Sequence, residues 1–164
     1  MTDHDLTKDW KEFVELLNSH KIDYLIVGAW ALAFHGRPRI TGDMDVLIRT
    51  SPDNISKLLT ALNKFGFGSL NLKIEDFSTP DIVIQLGYEP NRIDLLTSIS
   101  GVQFEQAWRN KCSLEIDGIK FVFLGVEDLI LNKAATGRSK DLADLTTLRE
   151  IQKRTKKQDR SACE

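Results

Sequence analysis

This chain of 164 residues holds only two cysteines, four prolines and three histidines. Cys112 lies in an alternating apolar stretch and Cys163 beside the C-terminus, a spacing that makes neither a disulfide framework nor a zinc cluster. A reduced, cytoplasmic protein is the expectation. No apolar run approaches the roughly 18 residues that cross a bilayer, and Met1 to Trp10 is charged from its third residue, unlike an export signal. No membrane partner is expected. Nor is there an excess of positive charge: 22 Lys and Arg stand against 24 Asp and Glu, a formal net charge of −2. Without a global basic field, a nucleic-acid partner has to meet a local patch. The chain shows no internal repeat and no linker of domain-separating length. Residues 1–152 therefore read as one domain, and the charged, aperiodic residues 153–164 as a frayed tail.

Hydrophobic periodicity supplies the elements. Leu6, Trp10, Phe13, Val14 and Leu17 recur at helical spacing, and Tyr24 to Val27 is a short apolar run stopped by Gly28. Ala29 to Phe34 suits a short helix closed by Gly36, and Asp43 to Ile48 alternates as a strand does. Ser51-Pro52 is an N-cap followed by proline at the first helical position, opening a helix that Gly66 ends. Ile82 to Leu86 and Arg92 to Leu96 read as two strands, neighbours or a hairpin. Asp117-Gly118 between two apolar strands is the two-residue hairpin signal of the chain. Helices at Val126 to Ala135 and Asp141 to Ile151 complete the helical C-terminal third. Strands interleaved with helices, hairpins included, predict an α/β (α+β) domain with a mixed β-sheet and flanking helices.

The chemistry concentrates in a few carboxylates. Asp43 and Asp45 are one residue apart on a predicted strand, so the pleat turns both to one face and Met44 to the other. Two like charges so close raise the pKa of one of them unless a cation lies between, which makes the pair a candidate Mg²⁺ site. Taken alone, an Asp-x-Asp is as well read as a solvent-facing strand edge. About fifteen residues upstream, Val27-Gly28-Ala29 joins a strand end to a helix start, where free backbone N–H groups and a missing Cβ suit a phosphate.

The order apolar strand, Gly28-Ala29, short helix, Asp43-Met44-Asp45 resembles the signature of the nucleotidyltransferase superfamily that includes DNA polymerase β. It is similar in particular to the small bacterial branch of minimal, lincosamide and abortive-infection nucleotidyltransferases. The likeness is specific over Tyr24 to Ile48 and looser to about Leu148. It implies the nucleotidyltransferase fold, with two metal ions (Mg²⁺, or Mn²⁺) held by Asp43, Asp45 and a third carboxylate on a later strand. It implies the transfer of a nucleoside monophosphate from an NTP, such as ATP, to an acceptor hydroxyl. Asp94 in Arg92-Ile93-Asp94 is the candidate third ligand and base; Asp81 competes for that place.

Ala29 departs from the family, which usually has Gly or Ser there, so a hydroxyl contact to phosphate is missing while the backbone N–H remains. Arg39 and Lys133 are candidate phosphate ligands, each equally readable as a surface charge. The run Arg138, Lys140, Asp141 and Asp144 resembles a C-terminal motif of small family members and reads as well as helix capping and ion pairing. His35, Trp30 and Trp108 read as structural. RNA, protein or a small molecule such as an antibiotic all remain as acceptors, and the acceptor has to dock on the C-terminal helices, a homodimer mate or a partner protein. The alternative is a weakly active nucleotidyltransferase-fold partner in a toxin–antitoxin pair.

Overall fold

In the computed structural model, residues 7–36 and 41–162 are described, with side chains through 157. Among the described residues, six α-helices and a six-stranded mixed sheet make up the fold. The elements are α1 (Lys8–Ser19), β1 (Tyr24–Val27), α2 (Gly28–Phe34), β2 (Asp43–Ile48), α3 (Pro52–Lys64), β3 (Val83–Leu86) and β4 (Arg92–Leu96). After them come α4 (Phe104–Arg109), β5 (Cys112–Ile116), β6 (Ile119–Phe123), α5 (Val126–Thr136) and α6 (Ser139–Ala162). Two short 3₁₀ turns, Gly68–Leu70 and Ile74–Phe77, lie between α3 and β3.

The strand order is β3-β4-β2-β1-β6-β5. β2 runs antiparallel to β1 and parallel to β4, while β6 lies parallel to β1, so both halves of the sheet meet on the β1–β2 pair. These two strands are also the most buried, which suits a sheet centre covered on both faces. The outer strands β3 and β5 are largely exposed.

Local chemistry explains most of the boundaries. Thr7 caps α1 by accepting from Trp10 N at 3.2 Å. The helix then buries Trp10, Phe13, Val14 and Leu17, its i, i+3, i+4, i+7 stripe. At the β5–β6 hairpin Asp117 and Gly118 both take positive φ, 52° and 76°, as a two-residue turn of the primed type demands. β3 and β4 pair antiparallel, as neighbours joined by a turn.

α6 runs beyond the expected helix end at Ile151, to Ala162. No Gly or Pro follows Gly137, and Lys, Arg, Gln and Glu are good helix formers, so nothing in the segment stops the helix. Gln152 and Lys156 also reach back to Glu127 on α5. Among the described residues no helix is long and apolar enough to cross a membrane.

Candidate active site

The sheet's register builds the site. β2 and β4 pair in parallel with Asp43 opposite Arg92 and Asp45 opposite Asp94. Facing residues of paired strands share a face, so four charged side chains form one patch. The residues between them, Met44 and Ile93, point the other way into the core and are buried. Two Asp-x-Asp-like alternations, Asp43-Met44-Asp45 and Arg92-Ile93-Asp94, are thereby superposed. Asp43, Asp45 and Asp94 can each offer an oxygen such that all three lie within 4.8 Å of one another.

Such a cluster has an electrostatic cost. Burial, then the charges of Asp43 and Asp94, push the Asp45 carboxyl up to about 7 despite the opposing charge of Arg92. Arg92 meets part of the cost. Its Nη2 donates to Asp43 Oδ2 at 2.7 Å and to Asp94 Oδ2 at 3.1 Å, and its Nε donates to Asp94 Oδ1 at 2.9 Å. Thr41 donates to the other Asp43 oxygen at 2.6 Å. Glu89 stands 3.6 Å from Arg92 Nη1. The Arg92 backbone is itself fixed, its carbonyl accepting from Trp10 Nε1 at 3.2 Å.

A donor set of three hard carboxylate oxygens that already draws a guanidinium suits a hard divalent cation such as Mg²⁺ or Mn²⁺. Gly28 adjoins it. At φ +66° it begins α2, and a Cβ there would come 2.4 Å from Asp45 Oδ2, so only glycine leaves that carboxylate its place. Ala29 follows in the first turn of the helix.

The other sequence candidates divide. Asp81 lies apart from the cluster: it is exposed, with positive φ, and its backbone N–H and carboxylate both engage Ser98 beyond the end of β4. Arg39 lies outside the described residues. Lys133 is buried, its ammonium 2.8 Å from Asp141 and 3.8 Å from Asp144, both fully buried on α6. Thr136 and Arg138 add hydrogen bonds to Asp141. Burial alone would raise the Asp141 carboxyl, but these donors hold it well below the usual range. The Arg138–Asp144 run is thus a clamp between α5 and α6.

His35 Nε2 sits 2.8 Å from the Leu124 carbonyl, and burial pushes its pKa down. Trp30 packs edge-on against Trp10, and Trp108 stacks with Phe104. Sequence reasoning missed Arg92, although the period-2 logic applied to Asp43 and Asp45 places it beside Asp94.

A family profile described as "Nucleotidyltransferase of unknown function (DUF6036)" matches residues 5–155. Three solved structures share the fold. An antigenic nucleotidyltransferase-like protein from Paracoccidioides brasiliensis aligns with TM-score 0.56 and 19% identity, over 90% of this chain and 77% of that one. A Thermotoga maritima protein described as a "putative nucleotidyltransferase" gives 0.55 and 15%, over 94% and 96%. The lincosamide antibiotic adenylyltransferase LnuA, solved with lincomycin bound, gives 0.53 and 14%, over 89% and 98%. No curated protein matches the chain.

Proposed function

The chain belongs to this family of nucleotidyltransferases, and from that premise we propose that it transfers a nucleoside monophosphate from an NTP to an acceptor hydroxyl, using divalent cations held by Asp43, Asp45 and Asp94. The observation that carries the reading is the convergence of three carboxylates on facing positions of β2 and β4, next to a glycine whose missing side chain leaves room for them.

Asp43, Asp45 and Asp94 would hold the divalent cations, and Asp94 also accepts the proton of the attacking hydroxyl. The hydroxyl oxygen bonds to the α-phosphorus, the bond from that phosphorus to the bridging oxygen breaks, and pyrophosphate leaves with the electron pair. Mg²⁺ or Mn²⁺, when bound, neutralises the triphosphate and the charge developing on the entering and leaving oxygens. Backbone N–H groups at Gly28 and Ala29 cradle phosphate oxygens, so the absence of a hydroxyl at Ala29 removes one contact and leaves the cradle. Arg39 adds a charged contact. Lys133 donates one hydrogen bond to Asp141 and offers its remaining N–H groups to phosphate.

The acceptor is not named by these groups, since RNA ends, protein hydroxyls and small molecules present the same nucleophile. LnuA adenylylates a lincosamide antibiotic, and at 14% identity its likeness carries the fold to this chain and leaves the acceptor open. The test is incubation with each of four α-³²P-labelled NTPs and Mg²⁺ or Mn²⁺, offering cellular RNA, the protein itself and lincosamide or aminoglycoside drugs in turn. Label should pass to one class of acceptor with the wild type and not with Asp94→Asn. Transfer by Asp94→Asn at the wild-type rate would refute the assignment.

A further inference from the structure

The guanidinium of Arg92 lies where the carboxylates would receive a cation. It takes both oxygens of Asp94 and one of Asp43, while Thr41 takes the other. A monovalent cation with a planar fork is well matched to two carboxylates facing each other across paired strands. Arg92 is also placed to leave. Its side chain remains about a quarter exposed, at 24%. It borders a cavity of about 430 Å³ lined further by Phe67, Leu70, Gln85, Tyr88 and Glu89. Glu89, with 64% of its side chain exposed, waits 3.6 Å from Nη1. The strand underneath does not have to move, because the β4 ladder and the Trp10 hydrogen bond fix only the backbone.

We infer that Arg92 is a resident counter-cation of the site: it holds Asp43 and Asp94 together in the metal-free protein and yields them to divalent metal by swinging to Glu89 at the wall of the adjoining cavity. The inference rests on the reading of Asp43, Asp45 and Asp94 as metal ligands. Like charges at ligand distances repel, so guanidinium and metal compete for the same oxygens. Arg92 is thus a positioning residue that lowers metal affinity in exchange for an assembled site. The opposite role, in which Arg92 merely orients Asp94 for the ion, makes the opposite prediction: removing it would weaken metal binding.

Mn²⁺ titration without nucleotide, following the free-ion signal by electron paramagnetic resonance, separates the two. Arg92→Gln should bind Mn²⁺ tighter than wild type by on the order of tenfold, the effect of removing one competing charge at a few ångströms. Its metal-free melting temperature should fall and recover further than that of wild type on adding Mn²⁺. Glu89→Gln should bind Mn²⁺ a few-fold more weakly, because Arg92 loses the carboxylate it moves to. Arg92→Lys serves if the glutamine variant does not stay folded. Lysine keeps the charge and stem but cannot bridge both carboxylates through a fork, so it should bind Mn²⁺ tighter than wild type by a smaller factor. Wild-type binding that is matched or exceeded in affinity by none of the Arg92 variants overturns the inference and leaves the ligand assignment standing. Absence of Mn²⁺ binding in every protein overturns both.

Discussion

Replacing Asp45 by Asn should make the metal-free protein more stable while disabling its site, and the structure gives the pH at which this becomes visible. Asp45 titrates at about 7 in the fold against an ordinary 3.8, chiefly because it is buried and then because Asp43 and Asp94 face it. Its folded pKa lies above its unfolded one. Its contribution is therefore full below pH ~4 and is lost as the pH rises to about 7, after which the ionised carboxylate remains as a constant cost. A gap of about three pH units corresponds to roughly 4 kcal/mol. Half-burial and solvent screening reduce that to about 1–2 kcal/mol. Asparagine matches the protonated carboxyl in volume and offers an N–H towards Asp94 without adding charge. At pH 8 with chelator, Asp45→Asn should melt about 2–8 °C above wild type, given ~2–4 °C per kcal/mol at this size. At pH 5 the difference should shrink as the wild-type carboxyl regains its proton. Millimolar Mg²⁺ with a nonhydrolysable triphosphate should narrow or reverse the ranking, since ligands that bind the native wild type raise its stability by mass action. Differential scanning calorimetry across pH 5–8.5 reads all of this. A variant that melts below wild type at every pH, with no ligand-dependent change, would identify Asp45 as a structural hydrogen-bond acceptor and refute the electrostatic reasoning.

Two further substitutions probe different parts of the molecule. Lys133→Met should cost about 3 kcal/mol or more, because it strands Asp141 and Asp144 in the core without their cation; a raised NTP KM with an unchanged melting curve would instead make Lys133 purely a phosphate ligand. Gly28→Ala should lower both stability, by about 1–3 kcal/mol for a side chain in left-handed backbone, and Mn²⁺ affinity, by displacing the Asp45 carboxylate. Mn²⁺ binding at wild-type strength in that variant would show that the contact at Gly28 is not part of the site.

Much of the fold was legible because its elements carry local signals. The apolar run from Tyr24, the Ser51-Pro52 helix start and the Asp117-Gly118 turn each state their own conformation. Asp43 and Asp45 were legible for the same reason, since period-2 alternation fixes their common face before any partner strand is known. What brings Asp94 rather than Asp81 to them is the parallel pairing of β2 with β4, a contact between segments far apart in sequence that no local pattern encodes. Arg92 was hidden differently. Its spacing from Asp94 was plain, but its role depends on facing Asp43 across that same pairing. Lys133 read as a free cation because the buried partners that claim it lie one helix further on, at Asp141 and Asp144. α6 runs beyond its expected end at Ile151, carried by helix propensity and by the reach of Gln152 and Lys156 to Glu127.

If Asp43, Asp45 and Asp94 form a metal-dependent nucleotide site, titration calorimetry of a nucleoside triphosphate with and without chelator reads it out. With Mg²⁺ or Mn²⁺ present, binding should be measurable. With chelator it should fall steeply, because three carboxylates, whose charge Arg92 offsets only in part, then face the polyphosphate. Equal affinity under both conditions would contradict the account.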